Sequence, residues 1–197
     1  MIGIEVSLRE MLAAREARVS RQQTLLAQYK TTLICFTMNI AGPVKNNDRI
    51  RRGFLTGVTD LRFRLLAAGF PILQEIDVQE VTGNEHLFVI EADPLSVKQC
   101  TTEAEDTTPL GRLFDMDVLD AAGRHIGRDE LGLSDRQCLI CALPAKECSR
   151  NRTHSVQELQ EKTMQLLEDA HADAEADEIA ALAQRSLLYE VCTTPKP

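Results

Sequence analysis

Residues 70–93 read FPILQEIDVQEVTGNEHLFVIEAD, two strand-like runs either side of a Thr-Gly-Asn turn. Strands joined that closely pair antiparallel, because a parallel pair needs a long crossover. This hairpin constrains the fold more than any other stretch, since it rules out an all-parallel sheet. Helical patterns and further strands flank it. Residues 7–29 form an opening helix, with Ser7 and Glu10 at capping-box spacing. TTLICFTMNI (31–40) reads as a buried strand, and AGPVKNN (41–47) as a loop. Asp48 is expected to cap a helix over roughly 49–68 that Gly69 stops. Pro94 opens a shorter helix, and GRLFDMDVLD (111–120) reads as one more strand. From Ser155 the pattern is helical again. The order predicts an α+β fold with a mixed or antiparallel sheet, flanking helices and a C-terminal helical extension. Residues 1–168 are expected to form one domain, with 169–197 an acidic, Ala-rich helical tail.

Charge and hydropathy restrict function. The net charge is −8, which argues against broad nucleic-acid binding through phosphate neutralisation. It leaves room for a local basic pocket. No stretch approaches the roughly 18 uncharged apolar residues of a membrane helix, and MIGIEVSLREML lacks the pattern of a secretory signal. A cytoplasmic protein is the expectation.

The strand at 111–120 carries the sharpest chemical signal. Alternation places Arg112, Phe114, Met116 and Val118 on one face and Leu113, Asp115, Asp117 and Leu119 on the other. Two carboxylates about 7 Å apart at Cα repel each other unless a cation lies between them. Mg²⁺ takes carboxylate oxygens and completes its shell with water and substrate phosphates. Two solvated aspartates on an edge strand are the plainer alternative. Arg112, Arg124, Arg128 and Arg136 cluster nearby, and arginine binds phosphate bidentately.

Two further segments carry chemistry. Cys138, Cys141, Cys148 and His154 offer a Cys₃His set of the kind that closes a Zn²⁺ site. Buried packing cysteines and a C-x-x-C redox pair are the other readings. The NIAGPVK loop (39–45) turns at Gly42 and Pro43 before a helix N-terminus, where Lys45 adds positive charge to an anion-attracting end. A plain strand–helix connector is the alternative.

Taken together, REMLAARE (9–16), NIAGPVKNN (39–47), PLGRLFDMDV (109–118) and DRQCLICALPAKECSRNRTHSVQEL (135–159) resemble the holo-citrate lyase synthase family, the apo-citrate lyase phosphoribosyl-dephospho-CoA transferases. The resemblance spans residues 7–168 in order. Ala41 stands where the family loop carries proline. The resemblance implies transfer of 2′-(5″-phosphoribosyl)-3′-dephospho-CoA from its triphosphate precursor to a serine of the citrate lyase acyl carrier protein, with diphosphate leaving. It implies Mg²⁺ on Asp115 and Asp117, and phosphate contacts from Arg112, Lys45, Arg124, Arg128 and Gly42. The acidic strand also resembles the metal strand of nucleotidyltransferases, with Gly111-Arg112 where those proteins carry Gly-Ser. Glu91 and Asp77 are the candidates for a third acid, and the 146–152 run, KECSRNR, is the candidate carrier-docking patch. A zinc-stapled, non-catalytic assembly factor for citrate lyase subunits is the alternative function. No nucleic-acid or membrane partner is expected.

Overall fold

The computed structural model describes residues 3–172. Five helices and four strands follow in the order α1 (Leu8–Tyr29), β1 (Thr32–Met38), α2 (Asp48–Ala67), β2 (Ile72–Glu80), β3 (Gly83–Ile90), α3 (Pro94–Asp106), β4 (Phe114–Leu119), α4 (Ala145–Asn151) and a helix α5 over 156–172. The strands form one sheet in the order β2-β3-β1-β4, and every neighbouring pair is antiparallel. The hairpin at 72–90 is its outer half, and β4, the strand with the two aspartates, is the opposite edge.

Local chemistry explains most boundaries. Ser7 accepts the Glu10 N–H while the Glu10 carboxylate accepts the Ser7 N–H, so α1 starts on a complete capping box. At α2 the expected cap is displaced by one residue. The Asn47 side chain accepts the Ile50 N–H, and Asp48 is the first helical residue. Gly69 follows the last turn of α2 at φ 74°, the left-handed conformation that glycine adopts without penalty. The segment read as a strand from residue 111 starts differently. Leu110–Leu113 form a 3₁₀ turn and the strand begins at Phe114. Arg112 therefore lies outside the alternation, and Leu113 packs into the main core.

The sheet is covered on both faces. Ile34, Phe36, Phe88, Ile90, Phe114, Met116 and Val118 point to one side and pack with Phe54, Leu61 and Leu65 of α2, Val97 and Ala104 of α3, and Leu166 and Leu167 of α5. Gly57 permits this closeness: a Cβ there would stand 2.6 Å from Phe36 Cζ and 2.7 Å from Phe114 Cζ. Leu33, Cys35, Leu87, Val89 and Leu119 face the other way, against Leu25 and Leu26 of α1. α5 runs through residue 168 without interruption, and Ala170 packs on the core. The tail from 173 onward lies outside the described residues.

Candidate functional site

Alternation along β4 buries Phe114, Met116 and Val118 and turns Asp115 and Asp117 to the α1 side of the sheet. Register sets their neighbours: Asp115 lies opposite Thr37 and Asp117 opposite Cys35. α1 crosses this face with its apolar C-terminal half over Leu33, Leu87 and Leu119. Its N-terminal half brings Arg15 and Arg18 to the end where Thr37 and Asp115 lie. The result is a concavity of about 150 Å³ lined by Arg15, Arg18, Lys45, Asn84, Thr37 and Asp115 among others.

The two aspartates differ. The Asp115 carboxyl makes no hydrogen bond or ion pair among the described residues. It keeps contact with solvent, yet the surrounding protein pushes its pKa up, and the charge of Asp117 pushes it further. Arg136, Arg18 and Lys98 oppose that rise without cancelling it. Asp117 lies outside the lining of the concavity, with its carboxylate 3.7 Å from Nδ1 of His125.

An edge strand leaves one row of backbone groups unpaired, and here side chains take those of Met116 and Phe114 while the Ile126 N–H takes the Val118 carbonyl. The Glu105 carboxylate accepts the Met116 N–H at 2.9 Å and Lys98 Nζ donates to the Met116 carbonyl at 3.2 Å. Arg136 Nη1 donates to the Phe114 carbonyl at 2.6 Å. The residue between the two aspartates is thus fixed by α3 through both of its backbone groups. Glu105 is 3% exposed, and burial raises its pKa against the opposing charge of Arg136, the Met116 N–H, Lys98 and Arg128. Replacing Glu105 with alanine should destabilise the fold by about 3–5 kcal/mol, because it orphans the Met116 N–H and removes the counter-charge of buried cations. Glu105→Gln keeps an acceptor and should lose less. A folded-state pKa above the unfolded value means that the native protein binds the proton more tightly. Stability from this group therefore falls as pH rises from the unfolded pKa through the raised one. Urea unfolding across the mildly acidic range should show that slope in the wild type and its loss in Glu105→Gln.

A second, larger cleft of about 760 Å³ adjoins the first. Asn39, Ile40 and Lys45 line both, so the 39–45 loop forms the sill between them. Gly42 sits in that loop at φ 85°, and a Cβ there would meet Gln160 of α5 at 2.0 Å. Lys45 Nζ donates to the Ile40 carbonyl at 2.6 Å. Arg112, Arg136 and Arg152 line the large cleft beside Leu139, Val156 and Leu159. Arg112 also ties its walls together, donating to the carbonyls of Gln137 and Cys138.

One wall of this cleft is the cysteine segment. One ligand atom each from Cys138, Cys141, Cys148 and His154 lies within 4.8 Å of the others. Cys141 and Cys148 sulfurs are 3.4 Å apart, and His154 Nε2 is 3.3 Å from Cys141 Sγ. Burial raises the Cys138 pKa, but the backbone N–H groups of Cys141 and Ile140 aim at its sulfur and bring the thiol below its usual range. Burial, then the Cys141 and Cys138 sulfurs, pushes Cys148 up to about 11. Three sulfurs and an imidazole converging in this way form a possible Cys₃His metal-binding cluster.

Of the other expected residues, Arg124, Arg128, Asp77 and Glu91 are brought to neither cavity, whereas Cys148, Ser149 and Arg152 of the 146–152 run line the large cleft. Arg124 pairs with Asp120 and Glu130 on an exposed turn. Arg128 is held by Glu105 and Asp106. Asp77 lies on β2 beside His86, and Glu91 is an exposed residue just past β3. The 146–152 run forms most of α4, with Lys146 paired to Asp135 and Arg150 exposed. Sequence reasoning did not single out Arg15, Arg18 or Glu105. Only Arg15 had a usable signal, as a charged residue within REMLAARE.

The fold and its cavities define a class: an α+β protein, with one four-stranded antiparallel sheet, that gathers guanidinium groups and one carboxylate around adjoining concavities. The sequence profile of the family described as apo-citrate lyase phosphoribosyl-dephospho-CoA transferase matches residues 6–170. The chain belongs to that family. It is 37% identical over 165 residues to the apo-citrate lyase phosphoribosyl-dephospho-CoA transferase of Citrobacter koseri, covering 84% of this chain and 90% of that one. The protein of the same name from Shigella boydii is 35% identical over 167 residues, 85% of this chain and 91% of its own length. Protein CitXG of Haemophilus influenzae is 34% identical over 195 residues, 99% of this chain. The chain spans 41% of that protein's length. Among the described residues no helix is long and apolar enough to cross a membrane.

Proposed function

We propose that this chain transfers 2′-(5″-phosphoribosyl)-3′-dephospho-CoA from its triphosphate precursor to a serine hydroxyl of the citrate lyase acyl carrier protein. The observation that carries this reading is Asp115, a carboxylate without a partner, set opposite cationic groups in a concavity that opens beside a nucleotide-sized cleft. The serine oxygen bonds to the α-phosphorus as the bond from that phosphorus to the diphosphate oxygen breaks. The electron pair leaves with diphosphate, the serine hydroxyl proton passes to solvent, and a phosphodiester remains on the carrier.

Such a reaction depends mainly on positioning and charge neutralisation. Asp115 and Asp117 fit a divalent cation, since they share one face of a strand and Asp115 is disfavoured as a lone anion. Mg²⁺ held by the pair would supply neutralising charge to the phosphates, in a nucleotidyltransferase-like arrangement. Lys45 and the Gly42 turn orient the phosphates at the sill, and Arg112 holds the nucleotide portion in the large cleft. Exposed Arg150 and Arg152 offer the acidic carrier a basic landing next to the cleft. The Cys₃His set would take Zn²⁺ as a structural ion that fixes the cleft wall. Incubation with apo carrier protein, the triphosphate precursor and Mg²⁺ tests the activity. The carrier should gain the mass of the prosthetic group as diphosphate appears. An unchanged carrier mass overturns the reading and favours the assembly-factor role.

A further inference from the structure

We propose that Arg15, together with Lys45, forms the seat of the leaving diphosphate, in the smaller concavity and across it from Asp115. The inference rests on the transferase reading and assigns a residue to a part of the substrate that this reading left unplaced.

The first argument is which cations are free. Arg18 is committed to Glu85 at 2.8 Å, and Arg21 holds the same carboxylate at 2.5 Å. Lys45 gives one proton to the Ile40 carbonyl and keeps two. Arg15 lines the same concavity with no ion pair or side-chain hydrogen bond among the described residues. It is exposed. Its charge is therefore available to a ligand.

The second argument is charge balance. Loss of hydration and the nearby charge of Arg15 both disfavour the charged form of Lys45. Two cations thus line one small concavity in a protein of net charge −8, and neither forms an ion pair among the described residues. An anion that bridges them relieves that repulsion. A diphosphate does so with several acceptor oxygens, and a guanidinium matches two of them at once.

Size and connectivity point the same way. The concavity, at about 150 Å³, is the smaller of the two beside a cleft of about 760 Å³, so the compact diphosphate suits it and the nucleotide portion suits the cleft. Because the 39–45 loop lines both cavities, a substrate whose nucleotide lies in the large cleft passes its phosphate chain over Lys45 toward Arg15. Asp115 lines the concavity that receives the chain.

The test is calorimetric titration of the full chain with inorganic diphosphate and Mg²⁺, alongside the transfer assay. Arg15→Ala should weaken diphosphate binding about 10- to 100-fold. It should lower kcat with little change in KM for the carrier protein, and leave the thermal midpoint unchanged. Arg15→Lys should restore part of both. Diphosphate binding that is absent from the wild type, or equal in Arg15→Ala, overturns the seat even if transfer is observed. Arg15-dependent diphosphate binding in a chain without transfer activity upholds the seat and removes the transferase reading instead.

Discussion

Asp115→Asn should lower prosthetic-group transfer about 10³-fold and leave the thermal midpoint at or above that of the wild-type chain. The two halves of this expectation share one cause. Asp115 is exposed and has no partner among the described residues, and the neighbouring protein and the charge of Asp117 both raise its pKa. Asparagine has nearly the same shape and lacks the charge, so it relieves that repulsion and breaks no contact. A carboxylate with a raised pKa and no structural partner is expected at a functional site. Parallel transfer assays and thermal unfolding check it. A variant that loses activity only because it unfolds would fail the second half.

Metal loss at the cysteine cluster should have the second-largest effect. The purified chain should carry about one zinc, and Cys148→Ser should carry none. Chelation should lower the thermal midpoint by about 5 °C or more and weaken precursor binding about 10-fold or more. Segment 136–155 has little regular structure, only the short α4, so the ion would replace a core there. Arg112 gives the functional link, because it donates to the Gln137 and Cys138 carbonyls while lining the large cleft. Elemental analysis with chelator-treated unfolding curves measures this. A metal-free chain that is stable in chelator would make the cysteines packing residues.

The fold was legible where one physical rule dominated. The hairpin forced antiparallel pairing, and alternation placed Phe114, Met116 and Val118 in the core with the aspartates opposite. Spacing alone gathered Cys138, Cys141, Cys148 and His154, because the four fall within a short run. Where two residues of similar chemistry competed, the reading slipped by one, as with Asn47 and Asp48 at the cap of α2. Proximity in sequence was also a poor guide to which arginines are free. Arg124 and Arg128 stand near the acidic strand but are consumed by local carboxylates. Arg15, a hundred residues away, reaches the concavity only because α1 crosses that face of the sheet. The clamp of Glu105 and Lys98 on Met116 was equally hidden, since it depends on α3 packing beside the edge strand.

The central claim is that Asp115 and Asp117 grip a divalent ion next to the substrate's phosphates. Mn²⁺, used as a paramagnetic substitute, gives the most direct measurement. In the presence of the wild-type chain and Mn²⁺, the phosphorus resonances of the bound triphosphate precursor should broaden strongly. With Asp115→Asn, at equal precursor occupancy, that excess broadening should vanish. Equal broadening in the two proteins would show that the aspartates merely face water and that the ion, if any, is held elsewhere.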